Sequence, residues 1–349
     1  MKLAAILDAG APVTDELARV RELEGAGLQM VLVPESYGYD AISTAGYIAA
    51  ATTNLEVGTG IVNVFSRSPA LLAMSAATID ALSGGRFVLG LGASGAQVIE
   101  GFHGIPYKRP LARLKECTDV CRMAWARDAL EYEGRAITLP LAGEAAARRP
   151  IKLINRPVRP NIPIWWASVT WRSVEAAAEY ADGWMPPFFL PERANAVWGG
   201  ALRAGAEKRH DDRGPLEIVA GGMVAVDDHL IGARRQEVLD LARPRTALYM
   251  GGMGSAERNF YNELCQQYGF AEAAAEVLGH FKAGDRQAAE RSVPQEVLES
   301  SNLIGSSGLV RERIAAYRAA GVTTLLVEPI GDNRARTVSA MRTLLEDLD

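Results

Sequence analysis

"RFVLGLGASG", residues 86–95, decides between two folds. Its glycines at 90, 92 and 95 satisfy G-x-G-x-x-G behind an apolar run, the fingerprint of a dinucleotide-binding turn. That fingerprint also needs a helix opening at the third glycine and an acidic residue closing a second strand about 20 residues further on. The next residues, "AQVIEGFHGIPYKRP" (96–110), hold two prolines and two glycines, so no helix is expected directly after Gly95. Glu116 and Asp119 fall inside a helical pattern rather than at a strand end. The dinucleotide reading fails on context, and the run becomes one strand of another kind of sheet.

Seven further runs of the same character accompany it: "KLAAIL" (2–7), "MVLVPES" (30–36), "LEVGTGIV" (55–62), "IPIWWAS" (162–168), "GWMPPFF" (183–189), "LEIVAGGMVAV" (216–226) and "TTLLVEP" (323–329). They are nearly continuous in apolar residues, which marks strands buried on both faces. Helical stretches such as "ALLAMSAATIDAL" (70–82) and "LARLKECTDVCRMAWA" (111–126) lie between them, as parallel neighbours require. Eight β-then-α units fit a closed (β/α)8 TIM barrel. A Pro- and Arg-rich connection covers 140–163. Almost a hundred residues separate the seventh and eighth runs, too many for a plain connection, and their pattern is helical. They read as a helical insertion over one end of the barrel, about 230–305, within a single domain spanning 1–349.

The totals agree with a packed core: 349 residues, 48% hydrophobic, 23% charged, formal charge −5. No dense Lys/Arg run invites nucleic acid. The three cysteines are too few for a disulfide framework, and Cys117 and Cys121, one helical turn apart, read as inert helix positions rather than a redox or metal pair. No metal is called for. The first residues read as a strand, not a signal peptide, and no apolar run nears the roughly 20 residues that span a bilayer. A soluble cytoplasmic protein acting on a small molecule, with no membrane partner, is expected. Its apolar helices leave a homodimer open.

Barrel sites form at the C-terminal ends of the strands. Here those ends carry Glu35, Ser36 and Tyr37; Gly58 to Asn63; Gly92, Ala93, Ser94 and Gly95; and Ala167, Ser168, Val169 and Thr170. Glycine at such an end lets a flat ring or a phosphate approach the backbone, or merely relieves crowding between strands. Ser168, Thr170 and Ser173 read equally as helix caps. Trp165, Trp166, Trp184, Phe188, Phe189, Tyr249 and Met250 could wall an apolar pocket, although core packing is the commoner use of each.

In combination, "SGGRFVLGLGASG", "GTGIVNVFSRSPA", "GFHGIPY", "ADGW" and "NFYNELCQQYG" resemble the luciferase-like superfamily. The likeness is closest to its branch of coenzyme F420-dependent oxidoreductases, the methylenetetrahydromethanopterin-reductase-like members. It runs from the first strand to the last helix. It implies a deazaflavin at the C-terminal barrel face and a bulge after strand three, often with a non-prolyl cis peptide, matched here by Gly60–Ile61. It implies cofactor contacts from Ser36, Gly60, Ile61, Asn63, Gly92, Ala93, Ser94, Gly95 and Gln97, with Ala167, Ser168, Val169 and Thr170 near the phosphate-bearing tail. Many relatives end strand two in Asp-His, where this chain has Glu35-Ser36; Glu35, Ser36 and Tyr37 are the candidate catalytic residues, but Ser36 cannot donate a proton as His can, which leaves Tyr37, Glu35 or a water for that step. Of the four histidines, His103 is the best placed. Arg67 suits the cofactor tail or a carboxylate, or a surface salt bridge.

The implied reaction is hydride transfer between the deazaflavin C5 and a C=C, C=N or C=O bond. Two rivals stand beside it: an FMN-dependent luciferase-like monooxygenase and a non-catalytic flavin-binding protein. The substrate is open, from tetrahydromethanopterin-like folates to enones and dehydroamino acids.

Overall fold

The computed structural model describes residues 1–141, 149–253 and 259–348. Residues 142–148 of the Pro- and Arg-rich connection and 254–258 of the insertion therefore lie outside the described residues.

Eight parallel strands form a closed ring: β1 (Lys2–Ile6), β2 (Met30–Val33), β3 (Glu56–Thr59), β4 (Phe87–Gly92), β5 (Ile164–Ala167), β6 (Gly183–Met185), β7 (Glu217–Val226) and β8 (Thr324–Pro329). Each pairs with its successor, and β8 closes on β1 with Leu3 opposite Leu325. This is the (β/α)8 barrel that the buried runs predict, with helices between strands covering the outside.

Alternation along each strand divides the core in two. Ala4, Met30, Leu32, Val88, Trp165 and Val219 point inward and fill the barrel. Trp166 and Trp184 join the larger cluster between sheet and helices. Gly183 makes room for the inner indole: a methyl group there would stand 2.4 Å from the Trp165 ring. Trp165, Trp166 and Trp184 are thus core residues, at most 2% exposed.

Several boundaries depart from the sequence pattern. The run 55–62 breaks after Thr59, and the chain resumes as the short strand Val62–Asn63 against β4. The sixth strand stops at Met185, because Pro186 and Pro187 have no N–H to continue a ladder. A helix does begin after Gly95, contrary to expectation, but it covers only Ala96–Gly101 before the glycines and prolines end it.

The insertion follows β7. Its helices run from Gly232 to Ser301, with a π-helical turn at Leu248–Gly252. Leu239, Ala247, Met250, Cys265, Val277 and Leu298 cluster with Met223 and Ala225 of β7, so the insertion sits over the C-terminal end of that strand. The short strand Leu303–Gly305 then pairs with Val224–Val226, which explains the unusual length of β7. Among the described residues no helix is long and apolar enough to cross a membrane.

Candidate active site

The chain leaves β3 through a kink that the neighbouring strand holds in place. The peptide between Gly60 and Ile61 is cis, where the resemblance implied such a bond. The Gly60 N–H donates to the Val33 carbonyl at 2.7 Å, and the Ile61 carbonyl accepts from the Glu35 N–H at 3.2 Å. On the other side, a methyl group at Gly92 would meet Ile61 side-chain carbons at 2.9 and 3.0 Å. The three positions make a ledge of main chain and one isoleucine at the barrel mouth.

The glycines of "GLGASG" divide between two uses. Gly90 serves strand packing: a methyl there would stand 1.8 Å from the Thr59 carbonyl oxygen. The Thr59 hydroxyl donates to the Gly90 carbonyl at 2.8 Å and accepts from its N–H at 2.9 Å. Gly92 faces the ledge. Gly95 precedes the short helix, with Gln97 folded back towards it. Between them Ser94 takes a left-handed conformation, φ 58°, and its carbonyl accepts from the Tyr107 hydroxyl at 2.9 Å.

Behind the ledge lies a charged group. Arg67 donates to both Glu35 oxygens, at 2.8 and 2.7 Å, and to Asp40. The Glu35 side chain is 8% exposed and that of Arg67 15%, so this is a nearly dry, two-pronged pair. Burial works against the Arg67 charge, but hydrogen bonding and attraction from Glu35 and Asp40 outweigh it and raise its pKa above the ordinary value. Of the two uses proposed for Arg67, the structure shows an ion pair. Glu35 is consequently an acceptor on two counts, with its N–H spent on the ledge.

Ser36 and Tyr37 lie beyond, both exposed; the Tyr37 ring lies 6.4 Å from Phe102, which meets His103 edge-on at 5.1 Å. Asn63 is buried and oriented: its Oδ1 accepts from the N–H groups of Phe65 and Ser66 at 3.0 and 2.8 Å. That turns its Nδ2 towards His103 Nε2, 3.4 Å away. A donor facing Nε2 leaves the proton of a neutral ring on Nδ1. His103 therefore stands beside Asn63, two residues past Ile61 of the ledge, a relation no local motif reveals.

The fifth strand end is pinned from below. Trp184 Nε1 donates to the Ser168 carbonyl and Trp198 Nε1 to the Val169 carbonyl, both at 3.0 Å. Thr170 caps the helix Trp171–Tyr180, its hydroxyl accepting from the Ser173 N–H, so the capping role holds for Thr170. The Ser168 hydroxyl is different. It is buried and, among the described residues, has no hydrogen-bond partner. A buried hydroxyl left unpaired is costly and points to a missing polar group.

A flat ring with an anionic tail suits these features. The ledge at Gly60, Ile61 and Gly92 offers a face of main chain with Ile61 as its one large side chain, and the orphaned Ser168 hydroxyl stands before a helix N-terminus that favours anions. The sequence pattern did not single out two charged residues of the mouth, Glu328 near the end of β8 and its ion-pair partner Arg245 in the insertion. An acid at the end of a barrel strand was the available signal for Glu328. Nothing local marks Arg245.

Comparison with known proteins bears on the family and the fold. The sequence profile of luciferase-like monooxygenases matches residues 1–324. A Mycobacterium tuberculosis protein, provisionally named a coenzyme F420-dependent oxidoreductase, is 34% identical over 337 residues, covering 95% of each chain. The 5,10-methylenetetrahydromethanopterin reductase of Archaeoglobus fulgidus is 27% identical over 91% of each chain. Among solved structures, the coenzyme F420-dependent tetrahydromethanopterin reductase of Methanopyrus kandleri superposes with a TM-score of 0.79 at 19% identity, over 97% of this chain and 96% of the other. At that identity the superposition speaks for the fold.

Proposed function

The chain belongs to the luciferase-like monooxygenase family, and within it we propose a coenzyme F420-dependent oxidoreductase acting on a small organic substrate. When bound, the deazaflavin supplies or accepts a hydride at C5, exchanged with a C=C, C=N or C=O bond. The observation that carries the choice of cofactor is the 34% identity, over 95% of both chains, to a relative named for F420. The ledge and the unpaired Ser168 hydroxyl support it from the side of geometry.

In this reading residues 1–349 act as one barrel domain, with the insertion of about 230–305 over its mouth. Gly60 and Ile61 would back one face of the ring and leave the other to substrate. Ala93, Ser94, Gly95 and Gln97, with Gly92 and Asn63, would line its edge. Ala167, Ser168, Val169 and Thr170 would hold the tail, Ser168 by the hydroxyl that lacks a partner. Glu35 acts as a positioning group: its N–H holds the ledge and Arg67 occupies its carboxylate. Ser36, exposed beside Tyr37, would order water at the mouth. The Tyr37 hydroxyl and the His103 imidazole are the groups there able to move a proton. The three buried free thiols suit a reducing cytoplasm.

Titration of the purified protein with F420 and with FMN, followed by fluorescence, tests the cofactor. Tight binding of F420, with FMN at least a hundredfold weaker, is expected. Tight FMN with no F420 affinity rejects the reading in favour of oxygen chemistry. Turnover is then followed by the absorbance of the reduced deazaflavin over a panel of unsaturated acceptors. Binding without any turnover leaves a flavin-binding protein instead of an enzyme.

A further inference from the structure

Glu328 is the last residue but one of β8. Leu326, two positions earlier, packs in the barrel interior, so alternation turns Glu328 inward as well, level with its register partner Met223 on β7. An acidic side chain thus enters above a barrel interior that the apolar Ile6, Met185 and Leu326 pack against. Its partner is Arg245, from the insertion helix Arg243–Ala247.

Arg245, Leu248 and Tyr249 are spaced to share one helix face. The other face carries Thr246, Ala247 and Met250, all buried in the core of the insertion. Arg245 reaches Glu328 on β8. Tyr249 stacks on Phe188, just after β6, with centroids 6.5 Å apart and planes 13° from parallel. The face therefore bridges β8 and β6 above the end of β7. In a ring of eight strands β7 stands opposite β3, where the Gly60–Ile61 ledge lies. The two surfaces confront each other across the mouth.

The Arg245–Glu328 pair explains little of the fold. Both side chains are well exposed, 43% and 40%, and ion pairs of that kind stabilise weakly. A guanidinium fork held by one carboxylate is, however, shaped to take another. We propose that Arg245 determines substrate specificity. It binds the carboxylate of an unsaturated acceptor whose planar apolar part lies against Tyr249 and Phe188, and Glu328 occupies the guanidinium until that carboxylate arrives. Only the unsaturation of the acceptor rests on the oxidoreductase reading above.

Calorimetric titration with trans-cinnamate and its methyl ester tests this on the full chain, with and without F420. The wild type should bind the acid at least about tenfold more tightly than the ester, the usual worth of a charged hydrogen-bonded pair. Arg245→Gln should bring the acid down to the ester's affinity and leave the ester unchanged. Arg245→Lys, which keeps the charge and loses the fork, should fall between. Glu328→Gln, which removes the competing carboxylate, should widen the preference for the acid. An acid-to-ester ratio equal in wild type and Arg245→Gln overturns the proposal, as does failure of the wild type to bind either probe at millimolar concentration. If F420 itself does not bind, the hydride-transfer reading falls, while the cofactor-free titrations still decide the role of Arg245.

Discussion

Replacing Gly90 by alanine separates the two uses of glycine in "GLGASG". The added methyl would lie 1.8 Å from the Thr59 carbonyl oxygen and 2.9 Å from its carbon. Both atoms are main chain, so relief requires moving β3 away from β4. That movement breaks the two hydrogen bonds between Thr59 and Gly90, at 2.8 and 2.9 Å, in a place where Thr59 is wholly buried. Overpacking costs about 1–3 kcal/mol. Two lost bonds cost about 1 kcal/mol each, and more where a partner stays buried and unpaired. Gly90→Ala should therefore destabilise by roughly 4 kcal/mol, a large share of the roughly 5–15 kcal/mol that holds a typical domain. Gly95→Ala is the control. Its methyl meets only the end of the exposed Gln97 side chain, and φ is −98°, so its cost should stay within about 0.5 kcal/mol. With a urea m-value of about 3 kcal/mol per molar, the Gly90→Ala midpoint should fall by about 1 M or more. The Gly95→Ala midpoint should hardly move. A Gly90→Ala protein with the wild-type midpoint would refute the packing argument and return Gly90 to the ligand.

The remaining expectations concern single groups. Ser168→Ala removes an unpaired buried hydroxyl, so stability should hold or rise slightly, while F420 affinity should drop about fivefold, read by fluorescence titration. Asp40 has a pKa below its ordinary 3.8: burial opposes the shift, but hydrogen bonds from Ser43 and the attraction of Arg67 prevail. A lowered folded pKa adds stability above the unfolded value and loses it as pH falls through the folded one. Asp40→Asn keeps the helix cap without the charge, so wild type should exceed it in denaturant midpoint at pH 7, and the margin should close below pH 3.8. Burial pushes the Cys117 and Cys265 thiols up to about 12 and raises Cys121 well above its ordinary value. Iodoacetamide at pH 8 should therefore leave all three unmodified in the native protein and alkylate them after unfolding, as mass spectrometry would show.

Much of the barrel was legible because burial on both faces leaves a direct mark. A run such as "MVLV" has no polar position to spare, and eight of them separated by helices have few ways to close. The strand ends were legible for the same reason, since residues such as Glu35 and Gly92 interrupt the apolar runs. The short helix at Ala96 was missed because its glycine and proline stops lie only one and a half turns away, and the pattern weighs the stops more than the start. Trp165 and Trp166 look alike in sequence; alternation on β5 sends one into the barrel and the other outward, and only the closed ring says which.

The sequence by itself determined which segments form the eight strands of the barrel, that they run parallel, and where the chain's polar and small residues interrupt them. Tertiary structure alone decided which interruptions meet. Glu35 joins Arg67 across 32 positions, His103 comes to Asn63 across 40, and Arg245 reaches Glu328 across 83. Periodicity reports each residue's relation to its own helix or strand. Contacts at a barrel mouth depend instead on ring closure and on where an insertion lands, and these are set by packing summed over the whole chain.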